Sequence, residues 1–181
     1  MKSDQTEDVR SVLQRFQDGY TARDVDQLDA SMELFDPQEV ELIGIGAVER
    51  GGEEWFVGVD AVRDIIAGDW THWGDVKIDV PGADIRVHGQ TAWFSTTGAV
   101  AQTEHFETSL PFFIEKMSAI LNEEGQDDQT RLLEATHFGL RRYRESQIET
   151  GHPWPFTLTG VLTQLDGTWR FRLLHFAMPV D

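Results

Sequence analysis

The chain of 181 residues carries 32 acidic against 15 basic side chains, a formal charge of −17. Such a surface repels phosphate backbones and anionic lipid, which argues against nucleic acid and membranes as partners. With no cysteine, disulfides, zinc–thiolate sites and thiol nucleophiles are excluded.

The first residues hold no apolar signal core and no run approaches a membrane span, so the protein is expected in the cytoplasm. One domain is expected from this length, with a core large enough to need no staple. Residues 6–22 read as a helix, because Val9, Val12, Leu13, Phe16 and Tyr20 recur at three- and four-residue spacing. Thr6 is its expected N-cap. Asp24, with Gln27 three residues on, predicts the capping box of a second helix whose apolar side is Val25, Leu28, Met32 and Phe35. Asp36-Pro37 stops it. A strand follows over 40–47, then an Arg50-Gly51-Gly52 turn. Trp55 and Phe56 lead into a third helix over about 59–67, with Gly68 as its stop and 69–74 as an aromatic-rich loop.

Alternation of Val76, Ile78 and Val80, then of Ile85 and Val87, predicts strands, and 91–101 predicts a long one. Residues 103–152 break the β pattern with two helices. The first is capped by Ser109 with Pro111 in its first turn, and the second is opened by Asp127 or Asp128. Arg141, Arg142 and Arg144 then sit where a helix C-terminus favours cations. His152-Pro153-Trp154-Pro155 is expected to be extended, 157–165 a strand, and Asp166-Gly167 a two-residue hairpin turn. It leads into a closing strand on which strict alternation puts Phe171, Leu173, His175 and Ala177 on one face, with Pro179 ending it. Helices beside an antiparallel sheet define an α+β two-layer domain.

The closing stretch also carries a likeness. Trp169, His175, Phe176 and Pro179 resemble the last strand of SnoaL-like proteins of the nuclear transport factor-like superfamily, which reads Trp, a few residues, His-x-His-Phe/Trp-Ser, then Pro. Leu173 and Ala177 stand where the first His and the Ser would be. The helix–helix–strand opening, the Arg23-Asp24 corner and Trp154-Pro155-Phe156 after a helical insertion share the likeness. It implies an α+β cone: a strongly curved antiparallel sheet wrapped around the N-terminal helices, with a central pocket and an inserted helical pair at about 103–152. It further implies a homodimer through the outer sheet face, with the pair as a lid or an added interface.

Inside such a cone the expected wall is Phe16 and Tyr20 from the first helix, Trp70 and Trp73 from the loop after the third, and Phe94 or Trp93 from the sheet. The same rings at helical and strand spacing also suit a core. A small apolar or aromatic molecule is the expected ligand. His175 is the sharpest acid–base candidate, against its reading as a hydrogen-bonded core residue. Asp69 and His72, three apart, are the expected helpers, since a carboxylate that orients an imidazole is a common catalytic arrangement. The histidines show no metal-ligand spacing, and no P-loop, nucleophile elbow or dinucleotide fingerprint occurs, so no metal or cofactor is expected. Ketosteroid isomerases, in the same superfamily, need a tyrosine and an aspartate at positions that fall near Phe16 and Leu42 here. Only Tyr20, one turn away, offers a substitute. The readings in play are thus a small-ligand binding domain, a proton-transfer enzyme of the cyclase, isomerase or dehydratase type using His175, and a homodimeric interaction module.

Overall fold

A computed structural model describes residues 2–52, 54–101, 103, 106–146 and 150–178. The chain forms two compact units, Met1–Ala101 with Pro153–Asp181, and Gln102–His152. The expected strand end at Pro179 lies outside the described residues.

The first unit is built on α1 (Lys2–Ala22). Its stripe of Val9, Val12, Leu13, Phe16 and Tyr20 is buried as the periodicity requires. The helix starts before Thr6, which is therefore not its cap. Arg23, left-handed at φ 50, ends it, and the Arg23 N–H still donates to the Gly19 carbonyl at 2.8 Å. The second helix is split. Asp24 caps only a 3-10 turn, Val25–Gln27, by accepting from the Asp26 N–H, and α2 is short, Leu28–Met32.

Next come β1 (Glu41–Ile43), β2 (Trp55–Val57) and α3 (Val59–His72). Trp55 and Phe56 do not lead a helix. They form a hairpin with β1, Leu42 opposite Phe56. Glu41 pins it, accepting from Arg50 at 2.7 and 3.0 Å and from the Trp55 indole at 2.7 Å. α3 runs a full turn past Gly68, so 69–74 is largely helix and not loop. A mid-helix glycine costs about 1 kcal/mol, and burial of a large side chain such as Trp70 offsets it with roughly 1.5–3 kcal/mol. Gly74, at φ 116, is the residue that ends the helix.

β3 (Asp75–Ile78), β4 (Asp84–His88), β5 (Thr91–Ala101), β6 (Pro153–Leu165) and β7 (Thr168–Ala177) complete a curved sheet. Its strand order is β2-β1-β7-β6-β5-β3, and β4 shares the outer edge of β5 with β3. The sheet is mixed, since β1 runs parallel to β7, and it is open. The Asp166-Gly167 turn behaves as read, with both residues at positive φ. β6 takes in Pro153 and Pro155 because β7 pairs with it only from Thr157 onward, which leaves an edge that tolerates proline.

On its inner face the sheet carries Phe94, Phe156, Leu158, Leu162, Trp169, Phe171, Leu174 and Phe176, all buried. Two details dock α1 on β3 and its turn. Arg10 donates to the carbonyls of Pro81 and Ala83 at 3.1 and 3.3 Å. The Gln17 amide accepts from the Ile78 N–H at 2.6 Å and donates to the Val76 carbonyl at 3.0 Å, as a neighbouring strand would.

The second unit holds α4 (Phe106–Leu121) and α5 (Asp128–Ser146). α4 starts earlier than the Ser109 cap predicts, so Pro111 lies inside the helix. Asp127 caps α5 as one of the two expected residues, accepting from the N–H groups of Gln129 and Thr130. The pair is antiparallel: Phe113 meets Phe138, the Arg142 guanidinium stacks over both rings, and Met117 lies against Gly139.

Candidate functional site

α1 and the last turn of α3 bring the predicted residues together. Phe16 and Tyr20, four apart, share one helical face, and their rings meet edge-on at 5.0 Å. Asp69, Trp70 and Trp73 come from the turn that the sequence suggests is loop. The Tyr20 hydroxyl donates to Asp69 Oδ2 at 2.8 Å, a link between residues 49 positions apart that no local pattern announces. Tyr20 is 2% exposed. Burial first, then the charge and hydrogen bond of Asp69, hold its pKa well above the usual tyrosine value. The phenol therefore stays a protonated donor. Arg23 ties the two helices at the same end, its Nε donating to the Trp70 carbonyl at 2.7 Å. Gly19 leaves the space that the Trp70 ring fills, since a Cβ there would sit 2.9 Å from Cζ2. The Trp70 indole N–H is buried and makes no hydrogen bond to any described residue.

A connected set of rings extends from this pair. Tyr20 touches Trp70 and Trp73 at 6.4 and 6.3 Å. Trp73 touches Phe156 and Phe176 at 6.1 and 5.5 Å. Phe16 reaches Phe171 at 5.3 Å, and Phe171 reaches Phe94 at 6.2 Å. Phe16, Tyr20, Trp70, Trp73 and Phe94 thus belong to one chain of contacts. The spacings are those of rings packed on each other.

His72 and His175 lie outside the buried set. His72 is exposed at the end of α3. His175 is exposed on the outer face of β7, beside Thr159 of β6 and Ile43 of β1. The expectation that it shares a face with Phe171 fails because of a bulge. Leu162 pairs with Phe171 but Val161 pairs with Leu173, so Arg172 is an extra residue that reverses the faces beyond it. Leu174 and Phe176 consequently point inward, and Leu173, His175 and Ala177 do not.

The choice between Trp93 and Phe94 is also resolved. Phe94 is buried, and Trp93 is 48% exposed on the outer face. There a groove of about 280 Å³ is lined by Asp84, Trp93, Ser95, Thr159, Val161 and Leu173, a feature that strand alternation alone does not announce.

The fold and this arrangement define an α+β domain of the nuclear transport factor 2-like type. A model of the SnoaL-like domain matches residues 9–119, more than half of the chain, and the protein belongs to that family. No functionally curated protein matches the sequence significantly. Among solved structures it is similar to a protein of the NTF2-like family from Streptomyces avermitilis, provisionally described as a dehydratase. The TM-score is 0.62 at 11% identity, with all of both chains covered. An NTF2-like protein of unknown function from Pseudomonas putida gives 0.60 at 11% identity over 100% of this chain and 91% of the other. A protein with a cystatin-like fold from Novosphingobium aromaticivorans gives 0.56 at 11% identity, covering 97% and 82%. At such identities the likeness concerns the fold. No described helix is long and apolar enough to cross a membrane.

Proposed function

We propose that this SnoaL-like domain binds a small, flat, largely apolar molecule bearing a carbonyl or similar acceptor, at the α1–α3 end of the curved sheet. The observation that carries the reading is the Tyr20–Asp69 hydrogen bond amid Trp70 and Trp73. A buried phenol kept protonated beside a carboxylate is a polar device in an otherwise aromatic interior, and few convergent polar groups among rings are what ligand sites use. Trp73, half-buried, is the ring that would have to shift to admit the ligand. The test is titration of intrinsic tryptophan emission with a panel of planar ketones and aromatic acids. At least one should bind with a Kd below about 1 mM, and Tyr20→Phe should weaken that binding severalfold. A panel without any response up to that concentration would defeat the reading.

A second reading is favoured by the same pair. In a proton-transfer enzyme of the isomerase or dehydratase type, Asp69 would take a proton from the carbon next to the ligand's carbonyl, and Tyr20, released as that carboxylate is neutralised, would turn its single hydroxyl proton from Asp69 to the developing oxyanion. His175, on the outer face, would have no part in that version. The discriminating result is turnover of a bound ligand that falls by about 100-fold or more in Asp69→Asn and is unchanged in His175→Ala.

A further inference from the structure

We propose that the α4–α5 hairpin docks on the same face of a second copy of this chain, making a four-helix bundle across a two-fold axis. Each helix has two apolar stripes. One forms the seam of the hairpin: Phe113 and Ile120 on α4, Ala135 and Phe138 on α5. The other is exposed: Leu110, Ile114 and Leu121 on α4, Leu132, Leu133 and Leu140 on α5, each 38–67% accessible. At 3.6 residues per turn, the exposed stripe is displaced from the seam in the same rotational sense on both helices. Because the helices are antiparallel, these displacements bring both stripes to one side of the hairpin.

That side is half of a bundle core, and a closed two-fold contact is the commonest way a chain covers such a face with itself. Two features favour a second copy as the occupant. The first is area. Six side chains about half exposed leave roughly 600 Å² per chain, so two copies would bury about 1,200 Å², the lower end of the range for stable interfaces. The second is charge. The net charge of −17 would repel a like copy over most of the surface, but the α5 sector holding Leu132, Leu133 and Leu140 is otherwise Gln129, Thr136 and Tyr143. In the α4 sector that holds Leu110, Ile114 and Leu121, Glu107 in the first turn is the one charged residue, since Glu115 and Lys116 lie on other sides of the helix. The face is thus the part of the hairpin that a second copy can approach without like-charge opposition. The inference is independent of the ligand reading.

Sedimentation equilibrium of the full chain tests it. The expected result is a dimer with a Kd in the low micromolar range that tightens with added salt, because screening weakens the repulsion between two acidic copies. Leu133→Glu/Leu140→Glu replaces exposed residues, so its far-ultraviolet dichroism should match the parent while its dimer Kd rises at least about 100-fold. Leu133→Gln/Leu140→Gln should show a smaller rise in the same direction. Trp93→Glu, on the outer sheet face, should leave the Kd within about twofold. A monomer at about 200 µM would overturn the proposal, as would a hairpin variant that dimerises like the parent. So would a dimer lost in Trp93→Glu and kept in the hairpin variants, which would locate the contact on the sheet.

Discussion

Replacing Gln17 by leucine removes both arms of the amide that closes the free edge of β3 and keeps nearly the same volume. The Ile78 N–H and Val76 carbonyl that it serves, at 2.6 and 3.0 Å, are held by a side chain only 9% exposed, so water cannot readily take over. A net hydrogen bond contributes about 1 kcal/mol, and a buried group left without a partner costs about 1–3 kcal/mol. Two such groups give an expected loss of about 2–5 kcal/mol, a large part of a typical domain stability of about 5–15 kcal/mol. For a protein of this size that corresponds to a fall in Tm of about 5–20 °C. All six tryptophans lie within residues 1–101 and 153–181, so urea unfolding followed by their emission reads the unit that contains Gln17. Gln17→Glu provides an internal check. Its ionised carboxylate still accepts from Ile78 but opposes the Val76 carbonyl, whereas its protonated form can donate to it. The deficit of that variant should therefore shrink as pH falls toward about 4–5. Gln14→Ala, which removes an exposed bond to Asp18, should change stability by less than about 0.5 kcal/mol. A Gln17→Leu protein within about 1 kcal/mol of the parent would refute the argument that α1 supplies β3 with its missing strand partner.

The raised pKa of Tyr20 gives an alkaline signature. Its contribution is complete below the ordinary tyrosine value of about 10 and is lost as pH rises through the folded value. Tyr20→Phe should therefore lose less stability than the parent as pH rises above about 10, flattening the alkaline limb of Tm against pH. Glu41 has the opposite sign, since its bonds from Arg50 and then Trp55 lower its pKa. Its contribution is present above the ordinary carboxylate value and lost as pH falls, so Glu41→Gln should flatten the acid limb of the same curve. Two glycines should respond oppositely to alanine. At Gly98 a Cβ would sit 2.3 Å from the Phe156 ring and 2.7 Å from the Lys77 carbonyl, and Gly98→Ala should cost about 2–4 kcal/mol in urea unfolding. At Gly68, inside α3, a Cβ would meet nothing within 4 Å, and Gly68→Ala should stabilise by up to about 1 kcal/mol.

Local rules made much of this fold legible. The α1 stripe, the Asp166-Gly167 turn and the Asp127 cap depend on residues a few positions apart, where periodicity and capping chemistry decide. What they miss is set by distant partners. Gly68 reads as a helix stop until Trp70 and Trp73 have a core to enter. Trp55 and Phe56 read as a helix entrance until β1 offers them an edge. The Tyr20–Asp69 pair joins two helices far apart in the chain, so each residue was a candidate from its own neighbourhood and the bond between them was not visible from either.

The placement of His175 turns on one residue. Strict alternation from Phe171 carries Leu173, His175 and Ala177 to the inner face, and the likeness to a His-bearing closing strand draws attention to the same histidine. The buried set is instead Trp169, Phe171, Leu174 and Phe176, spaced two, three and two. An odd interval within a run that otherwise has period two is the imprint a bulge leaves in a sequence, because one extra residue reverses every face beyond it. Arg172, the residue inside that interval, has its guanidinium near Asp36 and Glu39, acceptors that suit a charged side chain leaving the ladder. Phe176 is the compensation: it packs against Trp73 and Phe156, and pairing without the bulge would put a histidine on that inner face and expose the ring. The aromatic interior therefore selects the bulged register over the alternating one, and with it the removal of the closing strand's histidine from the Tyr20–Asp69 site.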